Sequence, residues 1–160
     1  MQEHNLRKAS VSPWLIAGRV IFTFGLIACI AIAAIYCALT LLLRPISYGE
    51  VQLRVSEALT ILPVLTPAAV PGLFIGCLVA NILSPYGLPD VIFGSLATLL
   101  AALITAKVPA RAKWLAPLPP VISNALIVGA LLGWYGAGFG PAFPAQFACN
   151  AFTVGLGELI

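Results

Sequence analysis

The sequence predicts an all-α integral membrane protein folded as a six-helix transmembrane bundle. The chain has 160 residues, of which 61% are hydrophobic and only 8% are charged, and its mean hydropathy is +1.07. Soluble domains carry about 25% charged residues, so this composition indicates a chain surrounded by lipid. Its apolar runs are continuous rather than alternating with a period of two, which excludes a β-barrel. The remaining structure in which every backbone N–H and C=O group is hydrogen-bonded inside a membrane is the α-helix.

The first predicted helix spans residues 20–43, an uncharged run long enough for a bilayer of roughly 30 Å. It is longer than the apolar core of a signal peptide, about 7–15 residues, so we expect no cleaved signal. Residues 1–19 form a polar tail that we expect in the cytoplasm, and residues 20–160 form one membrane domain. The other helices are predicted at residues 51–66, 68–83, 91–106, 118–134 and 145–160.

The apolar stretch at residues 51–83 has a length that fits either one or two membrane crossings. Cytoplasmic loops carry the excess of Lys and Arg. Basic residues cluster in the N-terminal tail and again at residues 107–113, and both clusters lie on the same side only if the stretch crosses twice. We therefore predict two short helices hinged at Pro67, with the N-terminus in the cytoplasm.

No motif for catalysis or for cofactor binding is present in the sequence. The chain has no GxxxxGK[ST] nucleotide loop, no HExxH or GxSxG signature and no cluster of metal-binding residues. The four cysteines lie in apolar runs without CxxC spacing, which favours packing over disulfides or metal binding. The net charge of +3 is too small to indicate nucleic acid. We predict a non-enzymatic protein without a cofactor.

Three ionisable residues in apolar surroundings are the strongest candidates for a binding site. Such residues are costly inside a membrane, which suggests that they have a function. Arg54 and Glu57 share one helical face, either as ligand groups or as a pair that neutralises itself near the membrane surface. Glu158 is predicted about halfway across the bilayer, if the last helix begins near Phe147. Its partner is then Arg54, a cationic ligand, a pair of ligand N–H groups or a proton.

Four further polar residues are candidate ligand contacts. Asp90 is either a helix N-cap or a group that contacts the ligand. Asn124 lies inside the fifth helix, where its amide pairs either with a neighbouring helix or with a polar ligand. Asn81 ends the third helix. Tyr48 belongs to a loop that either folds over the mouth of the bundle or lies at the membrane interface.

Small residues follow one stripe of the first helix. Helices in lipid pack through such residues, because lipid is as apolar as leucine. The stripe serves either for packing within the chain or as a docking face for another protein. Its residues are Gly25, Cys29, Ala33 and Cys37, with Ala34 and Ala38 beside them.

Four long segments carry a family resemblance, namely ISYGEVQLRVSEALTILP, PGLFIGCLVANILSPYGLPDVIFGSLATLLAALIT, LPPVISNALIVG and VGLGELI. They resemble the QueT family of queuosine-precursor transporters, and the resemblance covers residues 25–160. Members of that family are substrate-binding S components of energy-coupling-factor (ECF) transporters. The resemblance implies a six-helix S component in a bacterial cell membrane that binds a 7-deazaguanine from outside, such as preQ0, preQ1 or queuine.

The resemblance also implies partner proteins. The S component works with a transmembrane coupling subunit and two cytoplasmic ATPases, which supply the energy as it reorients to release its substrate. The small residues of the first helix are implied to meet the coupling subunit, and the loop after that helix is implied to cover the site. The matching positions are Ala33, Ala34, Cys37 and Ala38 in the helix, and Tyr48, Gly49 and Glu50 in the loop.

The implied ligand suits the candidate residues. A 7-deazaguanine presents adjacent N–H donors and a carbonyl acceptor, and a carboxylate accepts two such donors side by side. Glu158 and Glu57 are the candidate carboxylates, with Asn124 and Arg54 as supporting groups. A second acid would also help to bind preQ1, whose aminomethyl group is cationic. Aromatic residues able to stack on the ring are Tyr48, Tyr86 and Trp134.

Two other functions are compatible with the same residues. One is a self-sufficient small transporter or channel that uses a proton gradient through Glu158 and Glu57. The other is a membrane assembly subunit without a ligand, in which the polar residues only hold helices together.

The chain also departs from the family pattern in its longer N-terminal tail and in ending just after GELI, so we expect a short or truncated sixth helix.

Overall fold

A computed structural model describes residues 12–48 and 54–159, which form helices and no strand. Six long helical segments follow one another in the predicted order, so the all-α fold class is confirmed. The elements are α1 (Pro13–Leu42), the short α2 (Arg44–Ser47), a 3₁₀ helix (Val55–Val64), α3 (Ala69–Ile82), α4 (Gly87–Pro89), a π turn (Asp90–Gly94), α5 (Ser95–Thr105), a second 3₁₀ segment (Ala110–Leu115), α6 (Leu118–Ala137) and α7 (Phe143–Leu159).

Helix α1 begins at Pro13, so the predicted start at residue 20 is wrong by seven residues. Proline suits the first position of a helix, because its fixed φ angle fits there and its missing N–H would be unpaired anyway. The carbonyl oxygen of Ser12 accepts the first hydrogen bonds, from the N–H groups of Leu15 and Ile16. Arg19 lies exposed on the helix surface and does not interrupt the helix.

The stretch at residues 51–83 contains two helical elements with Pro67 between them, as predicted. The first, however, is a 3₁₀ helix over Val55–Val64 rather than an α-helix. Pro63 lies inside it and has no N–H with which to continue an α-helical ladder. The hydroxyl of Thr60 also donates to the carbonyl oxygen of Glu57 at 2.5 Å. Long 3₁₀ runs are uncommon and often lie at functional sites or hinges.

Within the part of the chain that the structure describes, three helices are long and apolar enough to cross a membrane. They are Pro13–Leu42, Gly87–Thr105, and Arg111–Ala137. The second joins α4, the π turn and α5, and the third joins most of the second 3₁₀ segment to α6. Val55–Val64 and Ala69–Ile82 are shorter apolar helices. These lengths and the composition describe a multi-pass membrane protein.

Glycines bring two helix pairs into close contact. A Cβ atom at Gly76 of α3 would lie 2.7 Å from the carbonyl oxygen of Ala33 in α1. One at Gly129 of α6 would lie 2.8 Å from the Cα atom of Ala151 in α7. Part of the small-residue stripe of α1 therefore packs within the chain, as one of its two interpretations predicted.

Candidate functional site

A buried polar network lies between α1, the 3₁₀ helix, α3 and the helix formed by the π turn and α5. Its side chains are almost completely shielded, which is costly in an apolar bundle unless each polar atom finds a partner. Four predicted site residues lie here, namely Arg54, Glu57, Asn81 and Asp90, with Tyr48 at the edge. Five further members are Tyr36, Thr40, Ser56, Cys77 and Thr98.

Glu57 lies at the centre of this network and is only 3% exposed. Its Oε1 atom accepts hydrogen bonds from the hydroxyl groups of Tyr36 and Thr98, the latter at 3.0 Å. Its Oε2 atom is buried and has no hydrogen-bond partner among the described residues. One half of the carboxylate is thus fixed by the protein, and the other half is available as an acceptor.

Arg54 pairs with Asp90 and not with Glu57, so the interpretation of Arg54 and Glu57 as a self-neutralising pair is wrong. Its Nη2 atom lies 3.4 Å from both carboxylate oxygens of Asp90. Its Nε atom is buried, and within residues 12–48 and 54–159 nothing accepts its proton. Arg54 immediately precedes the 3₁₀ helix, and its carbonyl oxygen accepts a hydrogen bond from the N–H of Glu57 at 2.9 Å.

Asp90 is not a helix N-cap, because the helix already begins at Gly87 and no side-chain capping bond forms there. Its carboxylate instead accepts a hydrogen bond from the Ser84 hydroxyl at 2.5 Å in addition to its contact with Arg54. A Cβ atom at Gly94 would lie 2.7 Å from Oδ1 of Asp90 and 2.8 Å from Nδ2 of Asn81. The π turn and its glycine therefore make the room that these two side chains occupy.

Asn81 and Tyr48 close the network on the side of the loop. The Nδ2 atom of Asn81 donates to the carbonyl oxygen of Asp90 at 3.2 Å. The Tyr48 hydroxyl donates to the carbonyl oxygen of Ala80 at 2.9 Å, and its ring centroid lies 5.4 Å from the guanidinium carbon of Arg54. Burial raises the pKa of Tyr48 to about 12, so the hydroxyl keeps its proton at neutral pH. The other predicted covering residues, Gly49 and Glu50, lie outside the described residues.

Glu158 meets Asn124 in a separate contact between α6 and α7, at 2.9 Å from Nδ2 to Oε1. Helix α7 begins at Phe143 and not near Phe147, so the helix start from which its depth was predicted is wrong. Fifteen residues at about 1.5 Å each place Glu158 roughly 22 Å along the helix, close to its end.

The structure thus brings four predicted site residues, Arg54, Glu57, Asn81 and Asp90, into one interior region, whereas Glu158 and Asn124 meet elsewhere. Asn124 pairs with a neighbouring helix, which was one of its two interpretations, and its amide is a partner for Glu158 that the sequence did not indicate. Sequence reasoning also missed Tyr36 and Thr98, which bind Glu57. The available signal was a single hydroxyl group in each of two otherwise apolar helical turns.

The predicted docking face of α1 borders an open groove of about 480 Å³. Ala34 and Ala38 are exposed there, whereas Ala33 and Cys37 are half-buried. Residues of α3, among them Val79, form the other wall. This groove and three others on the molecule are lined mainly by apolar side chains, and none of the four is lined by Glu57 or Arg54.

Comparison with known proteins assigns the chain to a family. The model of the QueT transporter family matches residues 26–160. The chain belongs to the QueT transporter family. This confirms the family resemblance found in the sequence, and it makes the chain a membrane transporter component rather than an enzyme.

One relative is the "Queuosine precursor transporter QueT" of Lactococcus lactis subsp. cremoris (strain MG1363). It is 38% identical to this chain over 80 residues, which cover 49% of this chain and 47% of the relative. The match therefore spans about half the length of that relative. No solved structure matches this chain.

Proposed function

We propose that the protein is the substrate-binding S component of an ECF-type transporter and that it takes up a queuosine precursor of the 7-deazaguanine class. Two facts support this proposal. The chain belongs to the QueT transporter family, and a relative carries the name of a queuosine precursor transporter. The buried polar network supplies the recognition chemistry that such a ligand needs.

One observation supports the proposal, namely two buried polar atoms at the start of the 3₁₀ helix that have no hydrogen-bond partner among the described residues. The Oε2 atom of Glu57 is an acceptor and the Nε–H group of Arg54 is a donor. A 7-deazaguanine presents N–H donors beside a carbonyl acceptor, so its ring edge offers a donor for Glu57 and an acceptor for Arg54. Both contacts involve a charged protein group, and such hydrogen bonds are about twice as strong as neutral ones.

The ligand reaches this pair by opening the contact between Arg54 and Asp90. That contact is long, at 3.4 Å from Nη2 to each carboxylate oxygen, whereas strong charge-assisted bonds measure about 2.7–2.9 Å. Tyr48, whose ring lies over the guanidinium group, then stacks on the flat ligand. Asn81 and Asp90 hold the far side of the network, and Asn124 orients Glu158.

Calorimetry with the detergent-solubilised protein tests this proposal. We expect preQ0, preQ1 or queuine to release or absorb heat on binding, and riboflavin to give no signal. Glu57→Gln removes one acceptor for ligand N–H groups, and should weaken binding about tenfold or more. Lys113→Gln, at an exposed site, should leave the affinity unchanged. Absence of heat with every 7-deazaguanine would support a ligand-free assembly subunit instead.

The proposed partners are a transmembrane coupling subunit and two cytoplasmic ATPases. The groove along Ala33, Ala34, Cys37 and Ala38 is open to a helix of the coupling subunit, since small residues allow close approach. By the excess of Lys and Arg in cytoplasmic loops, the exposed basic residues around the second 3₁₀ segment support a cytoplasmic location for that side and for the N-terminus. In this proposal the protein lies in a bacterial cell membrane, and the Tyr48 edge of its buried polar network faces the outside.

Co-purification with the coupling subunit tests the docking face. Ala38→Trp fills the groove and should abolish recovery of the complex, while binding of a 7-deazaguanine by the isolated chain persists. Ile35→Trp is the matched control, because Ile35 is also exposed on α1 but does not line the groove. Equal recovery of both variants would argue that the coupling subunit docks elsewhere.

A further inference from the structure

Three exposed basic side chains lie close together in the loop between α5 and α6. They are Lys107, Arg111 and Lys113, here called the basic rim. The sequence contains no Asp or Glu from residue 91 to residue 157, so neither flanking helix offers an acid to neutralise them. Glu158, near the end of α7, has its carboxylate bonded to Asn124. The basic rim therefore carries positive charge for which α5 and α6 supply no counter-charge.

An apolar groove of about 270 Å³ adjoins the basic rim. Val108 lines the groove and directly follows Lys107 in the chain. Leu115 also lines the groove, and it belongs to the same 3₁₀ segment as Arg111 and Lys113. The basic side chains thus stand at the end of the groove that the loop forms.

The groove continues from the loop into two helices that can cross a membrane. Ile104 of α5 lines it together with Leu118 and Ile122 of α6, and both helices are long and apolar enough to span a bilayer. A hydrogen bond of 3.5 Å from the Thr105 hydroxyl to the carbonyl oxygen of Ala116 ties the end of α5 to the loop. The charged part of this surface therefore lies at the helix ends, and the apolar part lies along the helices.

Trp114 indicates the depth of this loop in the membrane. Its side chain is 76% exposed, and it belongs to the same 3₁₀ segment as Arg111 and Lys113. Tryptophan is enriched at the boundary between headgroups and hydrocarbon, because its large ring is apolar and its N–H group needs a polar partner. The basic rim then lies at the level of the headgroups, and the groove lies at the level of the acyl chains.

We propose that the basic rim and this groove form a binding site for one anionic phospholipid. The Lys and Arg side chains hold its phosphate group, and one acyl chain lies in the groove between α5 and α6. Basic pockets between membrane helices bind acidic headgroups in this way. A zwitterionic phospholipid fills the groove equally well but has no net negative charge, so the site prefers the anionic lipid.

This site is separate from the surface proposed for the coupling subunit. That surface is the groove between α1 and α3, whereas the lipid groove is formed by α5, α6 and the loop between them. The lipid site also does not depend on the identity of the transported substrate, because none of the polar network residues lines it. It can therefore be tested without any 7-deazaguanine.

Native mass spectrometry of the full chain in detergent tests the site, with phosphatidylglycerol and phosphatidylcholine that carry the same acyl chains. Each Lys or Arg near an acidic lipid surface contributes roughly fivefold to affinity. We therefore expect one phosphatidylglycerol to bind about tenfold more tightly than phosphatidylcholine, or better. The double variant Lys107→Gln with Arg111→Gln should lose most of that preference. Arg19→Gln with Arg44→Gln is the matched control, because it removes two exposed charges from α1 and α2 and should keep the preference.

A second pair of variants distinguishes a lipid from a free phosphate ion. Ile122→Trp fills the groove without a change of charge and should weaken binding of both phospholipids about tenfold, the equivalent of roughly two buried methylene groups. Leu103→Trp is the control, since Leu103 is also exposed but does not line the groove. Inorganic phosphate in large excess should not displace the bound phosphatidylglycerol, because it has no acyl chain.

Equal affinity for the two phospholipids, measured on the unmodified protein, would overturn the proposal without the need for any variant. A preference for phosphatidylglycerol that survives Lys107→Gln with Arg111→Gln, at a normal melting temperature, would do the same. Displacement by inorganic phosphate, or unchanged binding after Ile122→Trp, would reduce the site to an anion site without a lipid. If the double charge variant kept its lipid but no longer co-purified with the coupling subunit, the basic rim would be a protein contact instead.

Discussion

The polar network around Glu57 and the α6–α7 hairpin hold helices together in different ways. In the network, side chains from α1, the 3₁₀ helix, α3 and α5 meet through hydrogen bonds and one ion pair. In the hairpin, the backbones themselves touch, because Gly129 and Gly133 of α6 have no side chains to separate them from α7. The hairpin contains one polar contact in its core, between Asn124 and Glu158.

This difference teaches which property of a side chain matters in each region. The network depends on charge and on hydrogen-bonding capacity, so a substitution of equal volume can disrupt it. The hairpin depends on volume, so a single added methyl group can disrupt it without any change of polarity. The two regions therefore call for opposite kinds of substitution, and each kind should spare the other region.

The largest effect is expected for Asp90→Asn, which keeps the shape of the side chain and removes its charge. Arg54 would then be a buried cation without its ion-pair partner, and breaking a buried pair in this way costs about 3–5 kcal/mol. A large fall in the melting temperature of the detergent-solubilised protein, followed by circular dichroism, is the expected result.

The double variant Arg54→Met with Asp90→Leu is the control for that prediction. Apolar residues that replace both members of a buried pair are often neutral for stability or even favourable, so much of the lost stability should return. A melting temperature unchanged by Asp90→Asn would mean that the ion pair does not stabilise the network. Charge would then not be the property that distinguishes the network from the hairpin.

A smaller effect is expected for Gly129→Ala in the hairpin. The new methyl group would lie 2.8 Å from the Cα atom and 2.9 Å from the backbone nitrogen of Ala151, neither of which can move without the helix. Overpacking of this kind costs about 1–3 kcal/mol. Gly155→Ala is the matched control in α7, because its nearest neighbour would lie at 3.6 Å, an ordinary contact. Equal melting temperatures for the two variants would contradict packing by close backbone approach.

The sequence was sufficient to predict the structural features that depend on properties averaged over many residues. Composition and continuous apolar runs predicted a helical membrane protein, and the order of the helical segments followed from the breaks between those runs. The small residues of α1 indicated a packing surface, and Cys29 and Ala33 do contact α3. Each of these predictions uses many residues at once, so an error at one position changes little.

Predictions that depended on a single boundary or a single partner were less successful. Glu158 was predicted too near the middle of the last helix because the start of α7 was predicted a few residues late. The partner of Arg54 was missed because Asp90 lies 36 residues away in sequence, in a π turn that no local pattern indicated. Hydrogen-bond partners across a bundle depend on helix rotation and register, and hydrophobic periodicity is too weak in uniformly apolar helices to define either.

The smallest effect in this series is expected for Tyr36→Phe, which removes one hydroxyl group from the network at nearly constant volume. Glu57 would keep the hydrogen bond from Thr98 at 3.0 Å and lose only the one from Tyr36, so the cost should be about 1.5 kcal/mol. Tyr135→Phe is the matched control, since it removes a hydroxyl whose bond to the carbonyl oxygen of Tyr86 is exposed. Its melting temperature should equal that of the unmodified protein. A fall of the same size in both variants would show that the lost tyrosine hydroxyl, rather than its place beside the buried carboxylate, determines the effect.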